Sequence, residues 1–442
     1  MKRITLLTTF YLILNLPLVV FAQKFKDTVF TLKQCVSFAL YNQPVVRQAV
    51  IDEEINERDI RISLSAWLPQ LNSSDIYQHY FKGSPVANAG TSSLPSTGVS
   101  NREFSTLGVQ ASQVIYNNDV LQAAKASRYS RQYYKENTLS SQISVVAEVS
   151  KAFFDVLLSQ KQLDILNEDI IRLQRSLKDA YNRYQAGVSD KTDYKQATIS
   201  FNNSLAARKQ TAGAISSKLA YLKQVMGLSG THFLQLVYDS TNYEREATID
   251  TNQVLDVNHR IEYRLLQTRK NLDDININYY KYGFLPSLSA TGTYNKIFLS
   301  NSFSNLYNKS FASAYGGLSL FIPIFQGNKR LQNLSKARLQ VERATLDIIN
   351  TTNLINTEYE KALSNYKSNF TNWELLKQNV VLANDVYKVV SLQYREGVKT
   401  YLDVIVSQSD LRTAELNYYN ALFQLLSSKI DLEKSLGTLT VQ

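Results

Sequence analysis

The chain has 442 residues, 44% of them hydrophobic, a formal net charge of +10, 28 tyrosines and one cysteine. The lone Cys35 excludes an intramolecular disulfide, and the basic excess is spread along the chain rather than gathered into a nucleic-acid-binding block. Only 15 glycines and 7 prolines interrupt it, so long unbroken elements are expected.

At the N-terminus, Lys2 and Arg3 precede an apolar run from Ile4 to Ala22. A short basic region, an apolar stretch and a small residue predict a signal peptide over 1–22. Thr8, Thr9, Asn15 and Pro17 interrupt the run and favour a cleaved signal over an anchor. Beyond it no apolar run of about 18 residues remains, so a membrane crossing would have to be a closed β-barrel.

A first repeat is assigned to 23–228. It opens with a helix over about 31–66, which ends at Trp67-Leu68-Pro69 because proline disfavours helix in the residue before it. Strands are predicted at about 68–82 and 104–116, around a Ser/Asn/Gly/Thr-rich loop. A long helical hairpin covers about 119–227 and reverses at Gly187. After a linker or equatorial segment at 229–255, the second repeat (256–442) runs the same course. Its helix spans about 256–282, its strands about 285–299 and 311–325, and its hairpin about 328–437, reversing at Gly397.

Recurring residues carry the repeat. Tyr184-Gln185-Ala186-Gly187-Val188 with Asp193 returns as Tyr394-Arg395-Glu396-Gly397-Val398 with Asp403, and Met226-Gly227 returns as Leu436-Gly437. Trp67-Leu68-Pro69 returns as Phe284-Leu285-Pro286. The helices show one apolar face at helical period, as in Leu331, Leu334, Ala337, Val341, Ala344 and Ile348. A coiled-coil rod would explain them equally well. The strands separate the two readings. Ala312, Ala314, Gly316, Leu318, Leu320 and Ile322 alternate with Ser313, Tyr315, Gly317, Ser319 and Phe321, one apolar and one polar face. Such a strand suits a barrel wall between lipid and water, and also a soluble hairpin on a core. Tyr77, Tyr80 and Tyr294 are candidates for an aromatic girdle. Four strands cannot close a barrel, for which about eight are the minimum, so a spanning role requires two or three copies.

The ordered set of motifs resembles the TolC-type outer-membrane efflux proteins over essentially the whole mature chain. It comprises Leu32-x-x-Cys35-x-x-x-Ala39-Leu40-x-Asn42-x-Pro44, the Leu-Pro steps, Phe321-Ile322-Pro323-Ile324-Phe325-Gln326-Gly327 and the two Tyr-x-x-Gly-Val turns. Two departures stand out: Val114-Ile115-Tyr116-Asn117-Asn118 lacks the proline and glycine of the strand exit, and His259-Arg260 replaces the second x-Pro step. The resemblance implies a mainly α fold with a small β contribution, assembled as a homotrimer with a twelve-stranded β-barrel and an α-helical barrel. It implies an outer-membrane location extending into the periplasm, contact with outer-membrane lipid, and partnership with a periplasmic adaptor and an inner-membrane transporter. A passive duct of this kind is not an enzyme and needs no cofactor. The resemblance also assigns site residues. Asp403 matches a constriction aspartate, whereas Val406 stands where a second acid belongs. Tyr394 and Lys399 match positions that hold the turn shut by bonding a neighbouring hairpin at Thr192 and Asp193, and Gly187, Val188, Gly397 and Val398 form the adaptor-facing tips.

Other chemistry finds no footing. His79, His232 and His259 lack companions at metal-ligand spacing, and no phosphate loop, dinucleotide fingerprint or nucleophile elbow occurs. The competing class is a secreted or periplasmic coiled-coil structural or adhesin protein, which would make the β segments a soluble hairpin.

Overall fold

Four glycines with left-handed backbone set where the main helices stop. The computed structural model describes residues 29–82, 101–237 and 240–441, so the predicted signal peptide lies outside the described residues. Helix α1 (Leu32–Asn42) and α2 (Pro44–Leu64) lead to strands β2 (Gln70–His79) and β3 (Glu103–Tyr116). Helices α3 (Asn118–Gln185) and α4 (Lys191–Met226) follow. After a connecting stretch come α6 (Ile261–Tyr282), β5 (Ser287–Ser300), β6 (Ser310–Phe321), α7 (Lys329–Arg395) and α8 (Tyr401–Leu436). The outgoing helices have 68 and 67 residues and the returning ones 36 each. All four end in the same way, on Gly187, Gly227, Gly397 and Gly437 with φ between 69° and 77°. In each, the glycine N–H and the next N–H turn back to the last helical carbonyls, as in Gly227 to Gln224 (3.0 Å) and Leu228 to Lys223 (2.8 Å).

The first helix departs from the sequence reading, which gave one element over 31–66. It is broken at Gln43 (φ −63°, ψ 123°), because Pro44 has no N–H to continue α1 but is well suited to begin α2. The Gln43 side chain donates to the Val225 carbonyl at the end of α4 (3.1 Å). In the second half the helix begins at Ile261 rather than 256, after a single 3₁₀ turn over Val257–His259. Arg260 reproduces the step without a proline: its backbone is at φ −73°, ψ 127°, and its guanidinium donates to the Ser435 carbonyl at the end of α8 (3.0 Å). Arg260 is buried and also pairs with Glu262 (3.0 Å) and Glu358 (2.8 Å). At these two joints a returning helix abuts a short helix so closely that a Cβ on Gly227 would lie 2.8 Å from the Asn42 carbonyl oxygen. A Cβ on Gly437 would lie 2.9 Å from that of His259.

The sheet order is β2-β3-β5-β6, antiparallel throughout. Segment 71–82 scarcely alternates, yet β2 pairs along its whole length with β3, from Gln70↔Ser112 to His79↔Glu103. The ladder, not the side-chain pattern, holds it as a strand. Where β3 lacks the expected proline and glycine, a bulge between Val114 and Tyr116 bends the strand toward α3. At the end of β6 the same redirection falls to Pro323–Gly327, with Gly327 and Asn328 both at positive φ. One face of the sheet carries Leu71, Leu107, Val109, Tyr294, Leu318 and Leu320 in register, and the other carries Asn72, Gln110, Thr293 and Ser313. Among the described residues, strands β2 and β6 have no neighbour on their outer edges.

The core lies at mid-length of the outgoing helices and toward the ends of the returning ones. Val149, Phe153 and Leu157 of α3 meet Leu222 and Met226 of α4, Leu422 and Leu425 of α8, and Cys35 and Ala39 of α1. Segment 229–255 is not a bare linker. Its β4 (Gln235–Leu236) pairs with β1 (Val29–Phe30), and its α5 (Ser240–Glu246) places Tyr243 against Phe153 and Phe154. The Tyr366 hydroxyl then donates to the Ala247 carbonyl (2.9 Å) and accepts from the Ile249 N–H (3.0 Å), strapping the segment to α7. Along most of its length α7 is covered on few sides: Leu331, Leu339, Leu346, Leu375 and Val386 are all exposed.

The joints give a direct test. Gly437→Ala should destabilise the protein by about 1–3 kcal/mol, since it combines left-handed strain with a backbone clash. Gly213→Ala, in an open, right-handed position inside α4, should stabilise by up to about 1 kcal/mol. Urea denaturation followed by circular dichroism reads both.

Candidate functional site: the two helix turns

The turn between α3 and α4 and the turn between α7 and α8 lie side by side in the chain. At the first, Gly187 and Val188 donate to Tyr184 and Arg183 carbonyls at 3.0 and 2.9 Å, and Val188 stands 72% exposed at the apex. At the second, Gly397 and Val398 repeat these bonds to Tyr394 and Gln393, and Val398 is equally exposed. The cap of α4 is Asp190, whose carboxylate accepts from the Thr192 N–H at 3.2 Å, leaving Thr192 and Asp193 in the first helical turn. For α8 the cap is Thr400 in a reciprocal box with Asp403. The Asp403 carboxylate accepts from the Thr400 N–H (2.9 Å) and hydroxyl (2.8 Å), and the Asp403 N–H donates back at 3.3 Å.

Behind the turns, Ala180 of α3, Ala197 of α4 and Tyr401 of α8 form a small buried cluster, with Tyr394 and Tyr194 packed on it. Arg183 lies over the Tyr394 ring, 4.5 Å from its centroid, and the Tyr401 ring stands 5.8 Å from it at a tilt of 59°. Burial pushes the Tyr394 phenol above its ordinary pKa; Arg183 opposes this, and the Asp193 and Asp179 charges add to it. Among the described residues, Tyr394 thus feels Asp193 as a nearby charge and not through a hydrogen bond. Lys399, in the turn, pairs with Asp403 in the first turn of α8 at 3.8 Å, both partners partly exposed. Asp403 and the exposed Val406 are three residues apart on one face of α8.

A second constellation, deeper in the helices, was not found from the sequence. The Asp169 side chain on α3 is 1% exposed. Its carboxylate accepts from Ser204 on α4 (3.0 Å) and from Gln408 (3.0 Å) and Arg412 (3.2 Å) on α8. Arg412 also donates to the Ser204 hydroxyl at 3.0 Å. Arg172 approaches both Asp169 and Glu415 at 3.8 Å, within reach of charge attraction but beyond a hydrogen bond. Burial raises the Glu415 pKa against the pull of Arg172. The node pins three helices together. Its signal was present, because Asp169 interrupts the apolar steps Leu166, Ile170 and Leu173 where a charge has no place without partners.

Two outcomes follow. Asp169→Ala strands Arg412, which keeps a path to water, and should cost about 2–4 kcal/mol in urea denaturation. The bonds from Thr400 hold the Asp403 pKa below its ordinary value, with Lys399 adding a smaller pull. A depressed carboxylate stabilises the fold above its unfolded pKa of ~3.9 and loses that contribution as pH falls through the lower folded value. Residues 401–404 should therefore keep helical NMR shifts at pH 5 and lose them toward pH 3, whereas in Thr400→Ala they should already be weakened at pH 5.

Similarity to known proteins agrees with this architecture. The profile of the outer membrane efflux protein family matches residues 35–228 and 264–438. Outer membrane protein TolC of Vibrio cholerae serotype O1 is 21% identical over 410 residues, covering 91% of this chain and 89% of that protein. TolC of Escherichia coli K12 is 21% identical over 429 residues, covering 93% and 83%. The crystal structure of the outer membrane protein VceC from Vibrio cholerae superposes with a TM-score of 0.72 at 14% identity, covering 92% of this chain and 96% of that one. With the profile spanning both strand pairs and both helical hairpins, the chain belongs to the outer membrane efflux protein family.

Proposed function

We propose that three copies of the chain form an outer-membrane duct, each giving four strands to a twelve-stranded barrel and two helical hairpins to a tunnel across the periplasm. The observation that carries this reading is the sheet itself. It ends on two unpaired strands, β2 and β6, and is apolar on one face. A closed ring of copies pairs those edges, and lipid covers that face. The exposed apolar residues of α7 add to it, since a neighbouring copy would bury them. The coiled-coil structural reading accounts for the helices but leaves both sheet edges and the apolar face in water. On this reading the two halves, 23–228 and 256–442, are structural repeats, and the matched joints at Gln43 and Arg260 support their equivalence. The duct is passive, with no catalysis of its own. It receives cargo through a periplasmic adaptor and an inner-membrane transporter, the adaptor meeting the tips at Gly187-Val188 and Gly397-Val398.

The gate belongs at the same end. Three Asp403 carboxylates would ring the entrance, with Val406 beside them in place of a second acid. Tyr394 and Lys399 would reach Thr192 and Asp193 of a neighbouring hairpin in the closed state, Lys399 exchanging its weak partner Asp403 for Asp193. Purified protein in planar bilayers tests this. Wild type should give discrete channels, and Tyr394→Phe with Lys399→Ser should raise single-channel conductance several-fold. Channels of unchanged conductance in the double variant would remove the gate. A wild type that neither trimerises nor conducts would remove the duct.

A further inference from the structure

Charge in the sheet is confined to one end. Over 68–116 and 285–325 the only charged residues are Asp75, Lys82, Arg102, Glu103, Lys296 and Lys309. All stand toward the ends of the strands remote from the helices. Asp75 and Lys296 flank Leu107 in one cross-strand row. From that row to the starts of α3 and α7 there is no charge at all. Lys296 lies on the apolar face, in line with Tyr294 and two residues before Phe298.

The connection between β5 and β6 folds onto that same face. Leu306 is fully buried against it, the Tyr307 ring lies 5.0 Å from Phe298, and the Tyr307 hydroxyl donates to Ser105 (3.4 Å). Phe303 meets Tyr77 edge-on at 5.5 Å. The outer sides of these rings stay open: Tyr77 is 48%, Tyr307 53% and Phe303 61% exposed. The rim is also predominantly basic, with Asp75 its one exposed carboxylate among the described residues. Glu103 is buried and engaged by the Tyr77 hydroxyl and by His79 (2.8 Å). Lys82, Arg102, Lys296 and Lys309 are exposed and make no ion pair among the described residues.

We infer that this rim is a docking surface for the anionic headgroups of outer-leaflet lipid. Lys296 meets a headgroup phosphate at the upper edge of the apolar band, and Tyr77, Phe303 and Tyr307 form a shelf within the headgroup layer. Continuity selects this occupant. The shelf and Lys296 lie on the face that lipid covers lower down, beyond the last uncharged row, where aromatic and basic side chains are favoured at a membrane boundary. The β5–β6 connection then belongs to the membrane side and leaves the polar, lumen-side face uncovered. The inference rests on the barrel proposed above.

The full-length trimer in nanodiscs of neutral phosphatidylcholine, titrated with fluorescent lipid A, provides the test. Lys296→Gln should weaken lipid A binding about fivefold, and Lys82→Gln with Lys309→Gln should weaken it further at about the same factor per cation removed. Asp75→Asn should not weaken it, and conductance should be unchanged throughout. Equal binding by wild type and Lys296→Gln would overturn the proposal, as would a Lys296→Gln variant that alters conductance instead of binding. Tryptophan probes separate this proposal from the barrel. Leu318→Trp should be quenched by lipid brominated deep in its chains, and Phe303→Trp by lipid brominated near the headgroup. Quenching at 318 but not at 303 defeats the rim alone; no quenching at either site defeats the barrel and the rim with it.

Discussion

A strand at the border of a sheet holds a row of N–H and C=O groups in one direction, and in hydrocarbon no water can satisfy them. This chain ends its sheet on two such borders, β2 and β6, which are 10 and 12 residues long. Almost everything else can be read as a response to that constraint. In the assembly proposed above, each outer strand pairs with a neighbouring copy, that copy arrives in a fixed register, and the long helices supply the lever that sets it. Because α3 and α7 continue directly from β3 and β6, with a bend of only a few residues, the orientation of the sheet is transmitted to the helices. The bulge at Ile115 and the Pro323–Gly327 turn are therefore structural equivalents with unrelated sequences. Each redirects a strand into a helix without ending the ladder early.

The same economy appears at the helix joints. Proline at position 44 and arginine at position 260 have nothing in common as side chains, yet the chain follows the same path at both. What the joint requires is an extended residue whose side chain donates to the end of the returning helix. Gln43 meets this with an amide, and Arg260 with a guanidinium whose charge is matched by Glu262 and Glu358. The proline is one way of enforcing the extended backbone, not the feature under selection by the geometry.

Much of this was legible in the sequence because it depends on local physics. Glycines at 187 and 397 must end helices, and the alternation over 312–322 must be a strand. The outgoing helices run over Asn118–Gln185 and Lys329–Arg395 and the returning ones over Lys191–Met226 and Tyr401–Leu436. What could not be read depends on partners far apart in the chain. Strand β2 is held by its ladder with β3 despite its polar run Ser73-Ser74-Asp75. The cap of α4 is Asp190 although Thr192, two residues on, could also cap a helix, a choice that only the turn geometry makes. The Asp169 node joins residues 35 and 239 positions apart, so a charge in an apolar stripe could be noticed but its partners could not be named. Lys399 illustrates the limit at the turns: its partner within the chain is Asp403, four residues on in the first turn of α8, and any longer reach depends on a neighbour.

The abutted joints have a mechanical consequence. Each outgoing helix runs unbroken past a level at which the helices beside it are segmented, α4 against α1 and α2 at Gly227, and α8 against α6 at Gly437. Tension and torsion along the assembly therefore pass through two continuous members per chain, while the segmented ones can hinge. A load applied at the turns would concentrate its bending at that level, and the Tyr366 bonds to Ala247 and Ile249, by tying the connecting stretch to α7, would resist it.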